Sequence, residues 1–250
     1  MQNIELTQEE LNYIINNNIL KKAYGKESQL YRYNDNGQKV ALKIFSTKNP
    51  NILEKKEKKI ILLNKINFSD DILKPIKTVS LNGSVIGYTE ELIWPHKTFE
   101  DIKTRTRKKT RINYLLQAKK LIEELKFNDI IYGDIHSFNF LVNNNTIKLC
   151  DMDNASIGGI DNEVRSILAW EYFDKYGHID HNCDIFCFNL LTISMLKKYI
   201  DTWTLSYLKY ASSEYEEIQR IYENMRNSDI NFNGEYIIDY INKKTKVKNL

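Results

Sequence analysis

The apolar pattern of this chain turns mainly helical at Trp94-Pro95. Before that point short runs alternate apolar and polar residues and are broken by polar turns. After it the apolar residues recur at helical spacing. Such a chain is expected to be α+β, with a small antiparallel sheet built by residues 1–92 and a mostly helical part built by residues 93–250. Residues 1–18 read as a polar helical segment, and Ile19 to Phe45 as short strands. The turn Asn34-Asp35-Asn36-Gly37 before the run Lys39 to Phe45 is a hairpin signal. Pro50 can open a helix, and Ile52 to Ile66 is amphipathic. Ile72 to Leu92 gives two more strands around Asn82-Gly83-Ser84.

In the second part, Ile112 to Leu125 sets Leu115, Leu116, Ala118, Leu121, Ile122 and Leu125 on one broad apolar face. Cys183 to Lys198 is nearly all apolar and is expected to be a buried helix. Residues 203–244 read as two or three further helices, with a Lys-rich end at 242–250 that frays. The longest apolar run, Ile185 to Leu196, is interrupted by Asn189 and is far shorter than the ~20 residues a bilayer requires. MQNIELTQEE has no basic stretch followed by an apolar one, so no secretory leader is expected. Cys150, Cys183 and Cys187 show no metal-ligand spacing, which favours a reducing compartment and a cytoplasmic location. The net charge is only +3, but residues 103–111, KTRTRKKTR, hold six basic residues in nine. That run is either a solvated loop or a docking patch for an acidic partner. No aromatics interleave with it, which disfavours single-stranded nucleic acid.

The chemistry concentrates in YGDIHSFNFLV, residues 132–142, and KLCDMDNA, residues 148–155. Asp134 and Asn139 stand five apart on a turn, and Asp151 ends a short apolar strand. Phosphoryl transfer requires such a set, with one carboxylate to orient the attacking hydroxyl and an amide and a second carboxylate to hold Mg²⁺ on the nucleotide phosphates.

Together with VALKIF, residues 40–45, these runs resemble the protein-kinase-like superfamily over about residues 19–200. The resemblance implies a bilobal fold with an antiparallel-sheet N-lobe and a helical C-lobe, and ATP and Mg²⁺ bound between the lobes. It implies that Lys43 contacts the phosphates, that Asp134 orients the acceptor hydroxyl, and that Asn139 and Asp151 ligate the metal. The adenine is expected against the hinge near Glu91 and Leu92, with Cys150 lining the pocket floor and Gly25 in the phosphate-covering loop. A lysine at Lys43 needs a carboxylate on the following helix, for which Glu57 is preferred over Glu54. Asp184 matches the buried aspartate that hydrogen-bonds the catalytic-loop backbone in this family, and Glu171 the glutamate that closes its activation segment.

The chain also departs from the family. KKAYGKESQLY, residues 21–31, has the single glycine Gly25 where the family's loop is Gly-rich. Met152-Asp153 replaces Phe-Gly, and Asp153 is expected to be a turn former in preference to a further metal ligand. Gly133 replaces an arginine and His136 a lysine; Asp-Ile-His-x-x-Asn is similar to aminoglycoside and choline phosphotransferases. The expected activity is ATP-dependent phosphorylation of protein serine or threonine. The alternatives are a small-molecule kinase and a pseudokinase that binds partners without transfer.

Overall fold

A computed structural model describes residues 1–21, 27–161, 167–197 and 234–247. The chain divides into two compact units. The first comprises Met1–Pro95 with Cys150–Asp153 and Ile157–Ile160; the second comprises His96–Leu149, Asn154–Ser156 and Asp161–Leu250.

The first unit is built on β1 (Gln2–Leu6), α1 (Gln8–Asn17), β2 (Ile19–Lys21), β3 (Ser28–Asp35), β4 (Gln38–Phe45), α2 (Pro50–Lys65), β5 (Lys77–Leu81) and β6 (Ser84–Glu91). The strands form one sheet in the order β1-β5-β6-β4-β3-β2. Two tight turns, at Asn36-Gly37 and Asn82-Gly83, carry positive φ at both central residues, the geometry that joins right-twisted antiparallel strands. The sheet is mixed, and this corrects the antiparallel expectation: β1 pairs with β5 in parallel, Gln2 opposite Lys77 through Leu6 opposite Leu81. The N-terminal segment is therefore strand and then helix. Thr7 divides them, because its side chain accepts from the Glu10 N–H while Glu10 reaches back to the Thr7 N–H in a capping box.

Helices cover both faces of this sheet. Leu6, Leu11, Ile14, Tyr31, Leu42 and Val79 make one core, which includes the buried face of α1. On the opposite side Phe45 and Tyr88 pack with Ile60 of α2. Successive residues of β4 point to opposite faces, so Leu42 serves the first core while Ala41, Lys43 and Phe45 face α2. The central strand β4 thus presents a lysine to the α2 side of the sheet.

The second unit contains β7 (Lys97–Thr98), α3 (Phe99–Ile102), α4 (Lys108–Phe127), β8 (Phe140–Asn143), β9 (Thr146–Leu149), α5 (Ile167–Tyr176), α6 (His181–Lys197) and α7 (Ile237–Val247). The three strands form a small antiparallel sheet in the order β7-β8-β9. Leu115, Ala118, Leu121, Ile122 and Leu125 of α4 are buried as their spacing requires, and α6 is buried along nearly its whole described length. Asn189, the polar break in α6, donates to the Glu235 carbonyl and accepts from the Ile237 N–H, so it fixes the start of α7. That helix runs through Val247 and so takes in residues 242–247 of the Lys-rich end expected to fray; the last three residues lie outside the described ones. The other helices expected within 203–244 fall on residues 198–233, outside the described residues. Among the described residues no helix is long and apolar enough to cross a membrane.

The basic residues of the run 103–111 do not all lie at the surface. Arg111 is buried and donates from Nη1 to the carbonyls of Lys103 and Met195, tying the start of α4 to the end of α6. Lys103 pairs with Glu100. Arg105, Arg107, Lys108 and Lys109 are the members left at the surface.

Gly87 on β6 stands opposite Ile44 of β4, and a Cβ there would overlap the Lys43 carbonyl oxygen. Both partners of that clash are backbone in the middle of a sheet, so neither can turn aside. Gly87→Ala is expected to lower stability by about 3 kcal/mol, read as the shift of the urea unfolding midpoint at unchanged m-value.

Candidate active site

In the first unit β4 holds Lys43 on the α2 face, 5% exposed, and the segment Cys150–Asp153 brings two carboxylates to it. Asp151 adopts a left-handed backbone, φ 68°, which turns the chain sharply after Leu149. The next residues, Met152–Asn154, make a single 3₁₀ turn. Lys43 Nζ donates to Oδ1 of both Asp151 and Asp153. Asp153 is 1% exposed and also accepts from Lys56 Nζ at 2.8 Å and from the Tyr88 hydroxyl at 2.9 Å.

The electrostatics follow from burial and pairing. Burial alone would pull the Lys43 ammonium down, but Asp153 and then Glu90 outweigh it and hold the group above its ordinary value. Burial would raise the Asp153 carboxyl, and the two lysines instead keep it well below the usual carboxylate range. Tyr88 is pushed well above its ordinary value, first by burial and then by Asp153. Glu90, on the same face as Tyr88, is 6% exposed, and its Oε2 has no hydrogen-bond partner among the described residues. Burial lifts its carboxyl to about 7, only partly opposed by Lys43.

The second unit holds the other half of the expected set. Asn139 donates from Nδ2 to the Asp134 carboxylate and to the Asp134 carbonyl, each at 3.0 Å. The loop between them is fixed at several points. The Ser137 carbonyl accepts from the Phe99 N–H at 3.0 Å, and its hydroxyl donates to Glu100 at 2.9 Å. Upstream, Asp184 accepts from the Tyr132 and Gly133 N–H groups, each at 2.7 Å, as the sequence resemblance implied. Burial raises the Asp184 carboxyl to about 6 against those two donors. Gly133 has φ 69°, which explains a glycine at this position: an arginine there would be strained in the left-handed region. His136 lies with Nε2 3.4 Å from the Asp134 carboxylate and accepts from the Phe138 N–H through Nδ1.

Lys43 and Asp151 are therefore brought together, and so, separately, are Asp134 and Asn139. Glu57 is not the partner of Lys43: it has no hydrogen bond or ion pair among the described residues, and Glu54 pairs with Lys58 at the surface. The inward position of α2 is taken by Lys56, whose stem lies over the Phe45 ring with Nζ 5.0 Å from the centroid. Glu91 is exposed, and Leu92 and Cys150 are half-buried. Gly25 lies outside the described residues, and Glu171 is on α5 with its side chain outside them. Asp153, expected to be only a turn former, is the most heavily bonded carboxylate of the first unit. The signal that could have found it is the Asp-x-Asp spacing combined with a lysine-rich α2. Among the described residues no group of three or more His, Cys, Asp or Glu side chains is placed to hold a metal ion.

No protein-family model matches the chain, and no curated protein matches it.

The buried Glu90 carboxyl carries a pH signature. Its folded value of about 7 lies above the ordinary 4.5, so the folded state binds the proton more tightly than the unfolded chain. Stability then falls as pH rises between those two values and levels off above the upper one, by about 3 kcal/mol from this group. Glu90→Gln should remove that slope, leaving the variant more stable than wild type at pH 8 and level with it near pH 4. Parallel pH profiles of the two proteins in urea unfolding would show that Glu90 does not titrate in this range.

Proposed function

We propose that this chain is an ATP-dependent phosphotransferase of the protein-kinase-like, bilobal fold, acting on serine or threonine hydroxyls of protein. The observation that carries the reading is the ion pair between Lys43 on β4 and Asp151 after β9, residues 108 apart in sequence. A strand lysine and the aspartate of a short strand end are the two groups that this chemistry uses on nucleotide phosphates and their metal. The hydrogen-bonded Asp134–Asn139 pair, on a loop anchored by Asp184, supports it independently.

Asp151 in the first unit and Asn139 in the second each carry the oxygen type that Mg²⁺, a hard cation, takes. Asp151 offers a carboxylate that is 33% exposed. Asn139 has its amide nitrogen committed to Asp134, so its carbonyl oxygen is the donor it would bring to a metal. MgATP supplies the transferable phosphoryl group and a divalent charge. Lys43 neutralises phosphate oxygens, and Asp134 orients the acceptor hydroxyl and takes its proton. Catalysis then comes from positioning and from charge already in place.

A second reading, transfer to a small hydroxyl-bearing molecule, is favoured by His136 beside Asp134, where protein kinases of the Ser/Thr type carry a lysine. Assays with both generic protein substrates and a metabolite panel decide between the acceptors.

The roles separate in variants. Asp134→Asn is expected to lower the single-turnover rate by about 10²-fold or more while MgATP affinity stays near wild type, because the loss is confined to the transition state. Asp151→Asn should weaken MgATP binding as well as turnover, by roughly tenfold in Kd. Equal losses of MgATP affinity in the two variants would reverse the assignment. Wild-type protein that transfers phosphate to no acceptor in either panel would leave a nucleotide-binding or partner-binding protein.

A further inference from the structure

The kinase reading leaves one feature without a function: a cation, Lys56, stands on the inward side of α2 where a carboxylate was expected to meet Lys43. Two lysines directed into one buried layer repel each other unless an anion lies between them. Asp153 is that anion, and each of its oxygens is used. Oδ1 accepts from Lys43 and from the Tyr88 hydroxyl, while Oδ2 accepts from Lys56. Three donors on three elements, β4, β6 and α2, fix this carboxylate, and it is 1% exposed. Asp151, the other carboxylate on Lys43, is 33% exposed and bound by fewer groups. Asp151 is thus the partner that can exchange Lys43 for a metal ion, while Asp153 has no such freedom.

We infer that Asp153, and not a glutamate of α2, is the residue that positions Lys43, with Lys56 neutralising the far side of the same carboxylate. The inference rests on Lys43 being the phosphate-directed lysine of the proposed function. It changes what α2 does. In this chain the helix contributes a counter-cation to an aspartate that is already locked to the sheet by Tyr88. Moving a glutamate of α2 toward or away from the site therefore cannot switch Lys43 on or off. Asp153 is a positioning residue: it acts through Lys43.

The test reads Lys43 itself, on the purified full chain without nucleotide. Brief acylation with an N-hydroxysuccinimide ester is followed by mass spectrometry, and Lys43 modification is compared with that of Lys59, a buried lysine of α2 that reports general loosening. Losing a charge-assisted bond from Asp153 should raise the Lys43-to-Lys59 ratio roughly tenfold in Asp153→Asn. Glu57→Gln should stay within about twofold of wild type, because Lys43 Nζ is bonded to Asp151 and Asp153 and not to Glu57. Lys56→Met leaves Asp153 on Lys43 and should keep Lys43 protected. An unchanged ratio in Asp153→Asn overturns the inference, and so does a rise in Glu57→Gln. If circular dichroism shows that Asp153→Asn does not fold, Asp153→Glu, which retains the charge, takes its place. Protection of Lys43 in that variant together with a silent Glu57→Gln supports the inference, and a rise in either overturns it. Adding MgATP to wild type tests the underlying reading separately: no further protection of Lys43 counts against nucleotide binding and leaves the Asp153 result standing.

Discussion

The first unit depends on one buried carboxylate. Asp153 sits among Lys43, Lys56 and Tyr88, and each of these is costly to bury without it. A buried ion pair is not a strong source of stability, since desolvation offsets much of the attraction, but breaking one leaves an uncompensated charge and is expensive. The arrangement therefore specifies more than it stabilises. It requires that the segment after β9 return to the sheet, that α2 present Lys56 inward, and that β6 place a tyrosine opposite Lys43.

The second unit rests on a comparable device in a different setting. Asp184 reaches from the first turn of α6 to two successive backbone N–H groups, at Tyr132 and Gly133, and so sets the conformation of the chain just before Asp134. The surrounding Tyr132, Ile135, Phe140 and Phe186 are fully buried, which leaves the loop little room to relax. Phe99 and Phe140 stack at 4.9 Å beneath it. Asp134 is thereby held by backbone fixed on both sides. A side chain held this way keeps its position without further ordering cost.

Much of the local structure could be read from the chain. The hairpin at Asn36-Gly37, the helix opened by Pro50, the apolar face of α4 and the buried α6 all follow from periodicity and turn chemistry, which are local properties. The Asp134–Asn139 pair was legible because its spacing stood together with Lys43 upstream and Asp151 downstream. Misreadings arose where pairing is non-local. Gln2–Leu6 is too short and too polar to announce a strand, and it becomes one because β5 offers a free edge in parallel register. Glu57 has the better spacing to face inward with Ile60, yet Lys56 takes the inward contact, because the anion available there is Asp153 and a second carboxylate would be repelled.

What the sequence determined by itself was most of the elements in their order, β1 excepted, and the carboxylate, amide and ammonium side chains set on two loops and one strand. Those depend on neighbours within a turn or two of each residue. Tertiary structure alone decided which carboxylate holds Lys43, because Asp153 lies 110 residues away along the chain. Burial made that choice: in a dry layer, charges pair with whatever opposite charge the fold delivers, and delivery is a property of the whole sheet and its covering helix.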